Sequence, residues 1–206
     1  MTAACTISRY RGGWRRDAVA KPGLDKIVVR RIEPEDRNLL RRWLQDPQIG
    51  AAIQDETIDL SRLQEAIVLF EESDAFRDGA LGLLVEAGGQ AVGLIHFACI
   101  NWINRNAEVI AFIGPGELRC SLMAAVLMER IGHVAFRILN LHKVYAFVYA
   151  NNHSALAAFR KVMKEEARLR NYVRLPQGYM DFHLFGMLAS EYFAAVRRLD
   201  RSGSCG

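Results

Sequence analysis

Among the side chains able to move a proton, two sit at element boundaries. Glu108 opens the apolar run AEVIAFIG, and Ser154 stands in the turn Asn151-Asn152-His153-Ser154 that enters a helical pattern. A carboxylate accepts protons and a hydroxyl gives them, the two halves of general acid–base catalysis. Each also has an ordinary reading, Glu108 as an exposed strand-end acid and Ser154 as a polar residue in a helix's first turn. Tyr145 and Tyr149 alternate on one face of HKVYAFVYA and are weaker proton donors. His96 reads first as a structural strand histidine and second as a group facing a substrate; His153 reads as helix-start surface. Cys5, Cys99, Cys120 and Cys205 lack metal-ligand spacing, so no metal is expected. In a reducing compartment they are free thiols.

These residues need a scaffold, and its elements follow from pattern. KIVVRRI from Lys26 reads as a strand. Pro34 and the acids Glu33, Glu35 and Asp36 then open a helix, EPEDRNLLRRWLQD. LSRLQEAIVLFEESD repeats apolar residues at helical spacing behind a cap at Asp59. GALGLLVEA and AVGLIHFACINW read as strands joined by a tight turn at Gly88-Gly89. AEVIAFIG is a third, and the breaker-poor segment from Leu118 to Leu139 is one buried helix. HKVYAFVYA is a strand, HSALAAFRKV a helix, RLRNYVRL and YMDFHLFGML a hairpin, and ASEYFAAVRRL a last helix. The order β-α-α-β-β-β-α-β-α-β-β predicts an α+β domain, one mixed sheet with helices on both faces.

Composition bounds the function. The chain has 206 residues, 51% hydrophobic and 24% charged, with a formal net charge of +4. That balance suits one globular domain and excludes a disordered chain. No apolar run approaches the ~20 residues of a membrane helix, and the N-terminus lacks the apolar core of a secretory signal, so the expected location is the cytoplasm. Residues 1–25 carry five basic side chains against Asp17 and Asp25. They read as a flexible basic extension, residues 26–200 as the domain, and 201–206 as a flexible tail. A basic arm favours anionic partners such as nucleotides, coenzyme phosphates or nucleic acid.

The run LNLHKVYAFVYANNHSALAAFRKV, followed by EEARLRNYVRLPQGYMDFHLFGML, resembles the GNAT superfamily of acyl-CoA-dependent N-acyltransferases, and most of all its ribosomal-protein N-terminal acetyltransferase branch. The resemblance spans Lys26 to Leu188. It is carried by Leu139–Val144, Asn152 to Ala155, Phe159 to Lys161, Arg168 to Arg170, and Asp181 through Met187-Leu188. It implies a three-layer αβα fold around a mostly antiparallel seven-stranded sheet. It also implies a donor, acetyl-CoA or another acyl-CoA, held without a metal. The donor's pyrophosphate would lie on Arg119-Cys120-Ser121-Leu122-Met123-Ala124, and its pantetheine arm against the backbone of Phe112 and Ile113. Asn152, Phe159 and Lys161 fall on the coenzyme side. Glu108 matches the family's base, and Ser154 stands near its acid.

Three positions depart from the pattern. Leu122 replaces a loop glycine, whose freedom of φ and small size suit a phosphate. Phe159 replaces a tyrosine that gives a proton. After Lys161 the chain lacks a helix-ending glycine, so that helix must stop by other means. The leading reading is an N-acyltransferase acting by direct attack of a primary amine on a thioester. A donor carried by an acyl carrier protein or a tRNA, and a non-catalytic binding module, stay open beside it; a nucleic-acid-binding protein is a third. The acceptor, a small-molecule amine or a protein N-terminus, is set by Leu39–Phe76 and Tyr172–Phe182. Asp46, Asp55, Glu56 and Asp181 are the acids there able to attract an ammonium. A monomer and a homodimer are both compatible with the sequence.

Overall fold

Every second side chain of Lys143–Tyr149 is buried: Val144, Ala146 and Val148 lie in the core, while Lys143, Tyr145, Phe147 and Tyr149 stay half-exposed. That alternation is the signature of a strand with two different faces. The computed structural model describes residues 27–49, 79–114, 116–119, 121–175 and 178–203. Its strands are β1 (Ile27–Arg31), β2 (Leu81–Ala87), β3 (Gln90–Asn101), β4 (Asn106–Ile113), β5 (Lys143–Tyr149), β6 (Lys164–Leu175) and β7 (Gly178–Leu188). The helices are α1 (Arg37–Leu44), α2 (Ser121–Gly132), α3 (His153–Phe159) and α4 (Ala189–Gly203).

The strands form one seven-stranded sheet in the order β1-β2-β3-β4-β5-β7-β6. All pairs are antiparallel except β4 with β5. Alternate residues feed two cores. Leu84, Leu94 and Phe112 pack on Leu40, Trp43 and Leu44 of α1. Leu83, Ile95, Val109, Val144 and Phe185 pack on Met123, Leu127 and Ile131 of α2 and Tyr192 of α4. Helices therefore cover both faces, as the expected three-layer arrangement requires.

Gly88 and Gly89 take φ of 59° and 81° in the β2–β3 turn, a conformation glycine adopts without strain. Gly114, just past β4, is needed for space: a Cβ there would lie 2.0 Å from the Trp43 ring. Trp43 in turn meets Phe112 edge-on, with centroids 6.0 Å apart, fixing α1 to β4.

The segment expected as one helix from Leu118 to Leu139 is divided. A 3-10 turn at Gly116–Leu118 precedes α2, and wider π turns at His133–Ile138 follow it. Helix α3 stops at Phe159 rather than Val162. It ends without a left-handed residue: Arg160 stays right-handed, the Met163 N–H donates to the Phe159 carbonyl at 2.7 Å, and the Met163 side chain is buried. Strand β6 begins at Lys164, four residues before the expected start. Helix α4 runs to Gly203, into the stretch expected as a tail. The extension 1–25 and the helix expected at 60–74 lie outside the described residues. No helix among the described residues is long and apolar enough to cross a membrane.

Replacing Gly114 by alanine drives a methyl into the Trp43 ring. Gly114→Ala is expected to destabilise the fold by about 2 kcal/mol. Urea unfolding checks this as a lowered midpoint at unchanged slope.

Candidate active site at the parting of two strands

Strands β4 and β5 pair over three positions only: Asn106 with Lys143, Ala107 with Val144, and Glu108 with Tyr145. β4 then continues to Ile113 beside β3, where Ile113 pairs with Gly93. β5 continues to Tyr149 beside β7, where Tyr149 pairs with Phe182. Each strand follows its antiparallel neighbour, so the two inner edges separate beyond Glu108 and Tyr145. Backbone groups along such edges need partners once water is excluded, and an extended ligand arm can supply them.

Glu108 and Tyr145 stand side by side at the vertex. Glu108 is half-buried, and burial raises its pKa above the ordinary carboxylate value. Tyr145 is held protonated by burial first, then by the nearby Glu108 and Cys99. Cys99 lies in a β3 bulge between Ala98 and Asn101, with a left-handed φ of 51°. Bulges of this kind re-aim side chains beside functional sites. His96, on the Glu108 face of β3, is 1% exposed, and burial brings its pKa down to about 4. It is a neutral core imidazole at neutral pH.

Beyond the gap, Asn152 caps α3. Its side-chain oxygen accepts from the Ala155 N–H at 3.1 Å and from the Ser154 hydroxyl at 3.0 Å. Ser154 is exposed, with its proton directed at Asn152. Phe159 packs against Phe185, centroids 5.7 Å apart, while Lys161 is exposed.

On the coenzyme side, Arg119 is engaged by protein groups. Its Nε donates to the Ile113 carbonyl at 3.0 Å, one terminal nitrogen to Gln48 at 2.7 Å, and the other to Asp46 and to the Gly114 carbonyl at 2.7 Å. The Arg119 hydrogen bond is the main reason the Asp46 carboxyl titrates below its usual value. Ile113 and Phe112 thus belong to a braced strand end. Met123 is 4% exposed, Ala124 is half-buried and Leu122 is 37% exposed. Met123 is in the core, whereas Leu122 is not. Ser121 opens α2, and Cys120 lies outside the described residues.

Two of the acids named for attracting an amine are committed elsewhere. Asp46 holds Arg119, and Asp181 accepts from the Asn171 N–H at 2.8 Å and from Arg168 at 2.6 Å. Asp55 and Glu56 lie outside the described residues. Sequence reasoning missed the Arg119 brace, whose side-chain partners Asp46 and Gln48 are more than 70 residues away. It also missed that Tyr145 and Tyr149 join a larger aromatic surface through Phe147, Phe182 and Tyr172.

The model of the acetyltransferase (GNAT) domain matches residues 26–162. The chain belongs to the GNAT acetyltransferase family. By that membership it is an N-acetyltransferase. It is similar to the spermidine N(1)-acetyltransferase of Vibrio cholerae, 28% identical over 158 residues, 76% of this chain and 84% of the relative. The Escherichia coli K12 spermidine N(1)-acetyltransferase is 24% identical over 151 residues, 68% of this chain and 74% of the relative. The fold is similar to that of the Vibrio cholerae spermidine N-acetyltransferase solved with CoA and spermine, with a TM-score of 0.69, 24% identity, and coverage of 81% of this chain and 98% of the other.

These relatives acetylate a polyamine, so the narrower resemblance to the ribosomal-protein branch gives way to membership of the wider family. The physical reason lies in the motif. Leu141 and Val144 are buried and Asn152 is a helix cap, so the shared residues hold the fold and do not select an acceptor.

The raised pKa of Glu108 fixes the sign of a stability effect. Its folded-state pKa lies above the unfolded value, so its favourable contribution is complete below the unfolded pKa and is lost as pH rises through the folded one. Glu108→Gln is therefore expected to fold, and to gain in melting temperature relative to the parent between pH 4 and pH 7. Thermal unfolding across that range checks it.

Proposed function

We propose that the chain transfers an acetyl group from acetyl-CoA to a small primary amine, with Glu108 as the base. The observation that supports this reading is the placement of Glu108 on the last paired rung before β4 and β5 separate. The donor supplies an activated thioester carbonyl. The residues present fit such a donor: the edges of β4 and β5 beyond Glu108 and Tyr145 suit an extended amide-bearing arm, and seven residues separate the end of β4 from the start of α2, whose first N–H groups would suit anionic phosphate. Arg119 acts there as a brace that holds Ile113 and Gly114 in place. Leu122 stands in the first turn of α2, partly exposed.

The incoming amine arrives as an ammonium and must lose a proton before its lone pair can attack. Glu108 accepts that proton, and its raised pKa makes the transfer easier. The rigid pair β3–β4 holds the backbone at which the carbonyl is polarised, and the gap holds the two reactants together. The departing thiolate takes up a proton as the amide forms. Neither Phe159, which has none to give, nor Ser154, whose hydroxyl is turned to Asn152, is well suited to that step. A donor delivered on a carrier protein or a tRNA draws no support from the described residues or from the relatives. It is one outcome of the following test.

Calorimetry with acetyl-CoA is expected to give micromolar binding, with Leu122→Gly tightening it modestly. Thiol release with an amine panel that includes spermidine is expected in the parent and to fall about 100-fold or more in Glu108→Gln. The acidic limb of kcat/KM should lie above the ordinary carboxylate range and disappear in that variant. Absence of acetyl-CoA binding in both the parent and Leu122→Gly overturns the reading.

A further inference from the structure

We infer that Arg105 and Asn140 form a clasp that positions Glu108, by keeping the short β4–β5 pair closed up to its last rung. The inference rests on the transferase reading and adds positioning residues to the same site. Among the described residues, four other than glycine take left-handed backbone: Cys99, Arg105, Asn140 and Asn171, with φ of 51°, 53°, 52° and 50°. Side chains disfavour this conformation, and residues held in it cluster at functional sites. Asn171 belongs to the β6–β7 hairpin; the other three frame the pair that ends at Glu108.

Arg105 is tied to one segment by both its backbone and its side chain. Its carbonyl accepts from the His142 N–H at 2.6 Å and the Lys143 N–H at 3.1 Å. Its Nε donates to the Asn140 carbonyl at 2.7 Å, and one terminal nitrogen reaches both that carbonyl and the Asn140 side-chain oxygen, the latter at 2.6 Å. Asn140 is a fixed post. Beside it, Leu141 is 1% exposed and its N–H donates to the Ala135 carbonyl at 2.8 Å, while the His142 carbonyl accepts from the Ala189 N–H of α4 at 2.9 Å. The next pair along the strands, Asn106 with Lys143, is the first β4–β5 rung, and Glu108 with Tyr145 is the last. Arg105 thus stands three residues before Glu108, about 10 Å along the strand.

On the other side of β4, strand β3 adds little at these rungs. Between the pairs Ala98–Glu108 and Asn101–Asn106, Cys99 and Ile100 stand opposite Ala107 alone, and the Ile100 N–H turns to the Gly79 carbonyl at 2.7 Å. A bulge leaves its extra residue outside the ladder. Three parallel rungs beside a bulged neighbour fray from their start unless that end is closed, and the clasp closes it. Opening it loosens the Glu108–Tyr145 rung and admits water beside Glu108. Both clasp residues are exposed, so removing the contact leaves no buried group unpaired and costs the fold little.

The test uses full-length Arg105→Ala and Arg105→Lys, the second keeping the charge and losing the planar fork. Steady-state thiol release from acetyl-CoA is measured with the best amine of the panel above. The Glu108 carboxyl is titrated separately by carbon NMR without substrate, its resonance assigned by its loss in Glu108→Gln. Both variants are expected to fold, with kcat lowered about tenfold or more and KM values within about twofold of the parent. The Glu108 titration and the acidic limb of kcat/KM are expected to move to lower pH, because burial holds this carboxyl above its ordinary value and water relieves that. Loss of the Arg105 charge alone would move it upward. The titratable groups facing Glu108, Tyr145 on β5 and His96 and Cys99 on β3, are the same in every protein compared. In an active parent the inference requires both changes, and either one without the other overturns it, as does neither; the transferase reading then stands. Failure of both variants to fold makes the clasp a stability element and also overturns the inference. A parent that releases no thiol from any amine overturns the transferase reading, and the titration alone then decides: a lowered Glu108 value keeps the clasp, an unmoved one overturns it.

Discussion

A parallel strand pair that holds for three positions and then separates governs what the rest of this molecule must do. Pairing between β4 and β5 ends at Glu108 and Tyr145 because each strand is tied more extensively to an antiparallel neighbour, β4 to β3 and β5 to β7. Right-handed sheet twist rotates those two pairs relative to one another, and few bonds oppose the separation. The cores reinforce it. Phe112 is fixed from one side by Trp43, while Val144, Ala146 and Val148 are buried on the other side beneath the second helix layer. A sheet continuous across β4 and β5 would have no opening for an extended donor; a sheet parted from the start would leave Glu108 and Tyr145 unaligned.

The brace at the open end of β4 belongs to the same constraint. An edge without a neighbouring strand tends to fray, yet the Ile113 and Gly114 carbonyls are held by Arg119, which is held in turn by Asp46 and Gln48 just past α1. Each contact is partly exposed, and such an ion pair alone adds little stability. Its effect is geometric. It couples the end of β4, the start of α2 and the α1 turn, three segments beside the proposed donor approach, and Gly114 permits this by leaving room for the Trp43 ring.

Much of the scaffold was legible because burial on a strand repeats every second residue. KIVVRRI, AEVIAFIG and HKVYAFVYA each became strands at nearly the expected limits, and the Gly88-Gly89 turn closed as its residues demand. The gap was legible only through resemblance, since the apolar pattern of a strand does not record whether its edge is paired. The π turns at His133–Ile138 were hidden because a wider helical turn needs no special residue type. The stop of α3 was hidden because burial of Met163, a tertiary contact, does what a glycine does elsewhere. At the proposed site, the place of Glu108 near the start of its strand was legible from position. Arg119 and Asp46 commit to each other across 73 residues, and Asp181 to partners across the β6–β7 hairpin, contacts that no residue pattern announces.

In the proposed reaction, with Glu108 as the base, burial at the vertex acts on both partners in proton transfer. It raises the pKa of Glu108, and the same loss of solvent lowers that of an ammonium brought beside it. The two values, far apart in water, move toward each other in the gap, and the transfer that frees the amine becomes less uphill. Full burial of Glu108 would overshoot by holding the carboxyl neutral against any base. Full exposure would leave its pKa at the ordinary value, too low to compete for the proton. Half-burial between the two is what the last rung before a parting sheet provides, because Glu108 is paired to Ala98 and to Tyr145 while β4 has no β5 partner beyond it. Tyr145 experiences the same surroundings with the opposite consequence: it stays protonated, so the rung presents one group that accepts a proton beside one that retains its own.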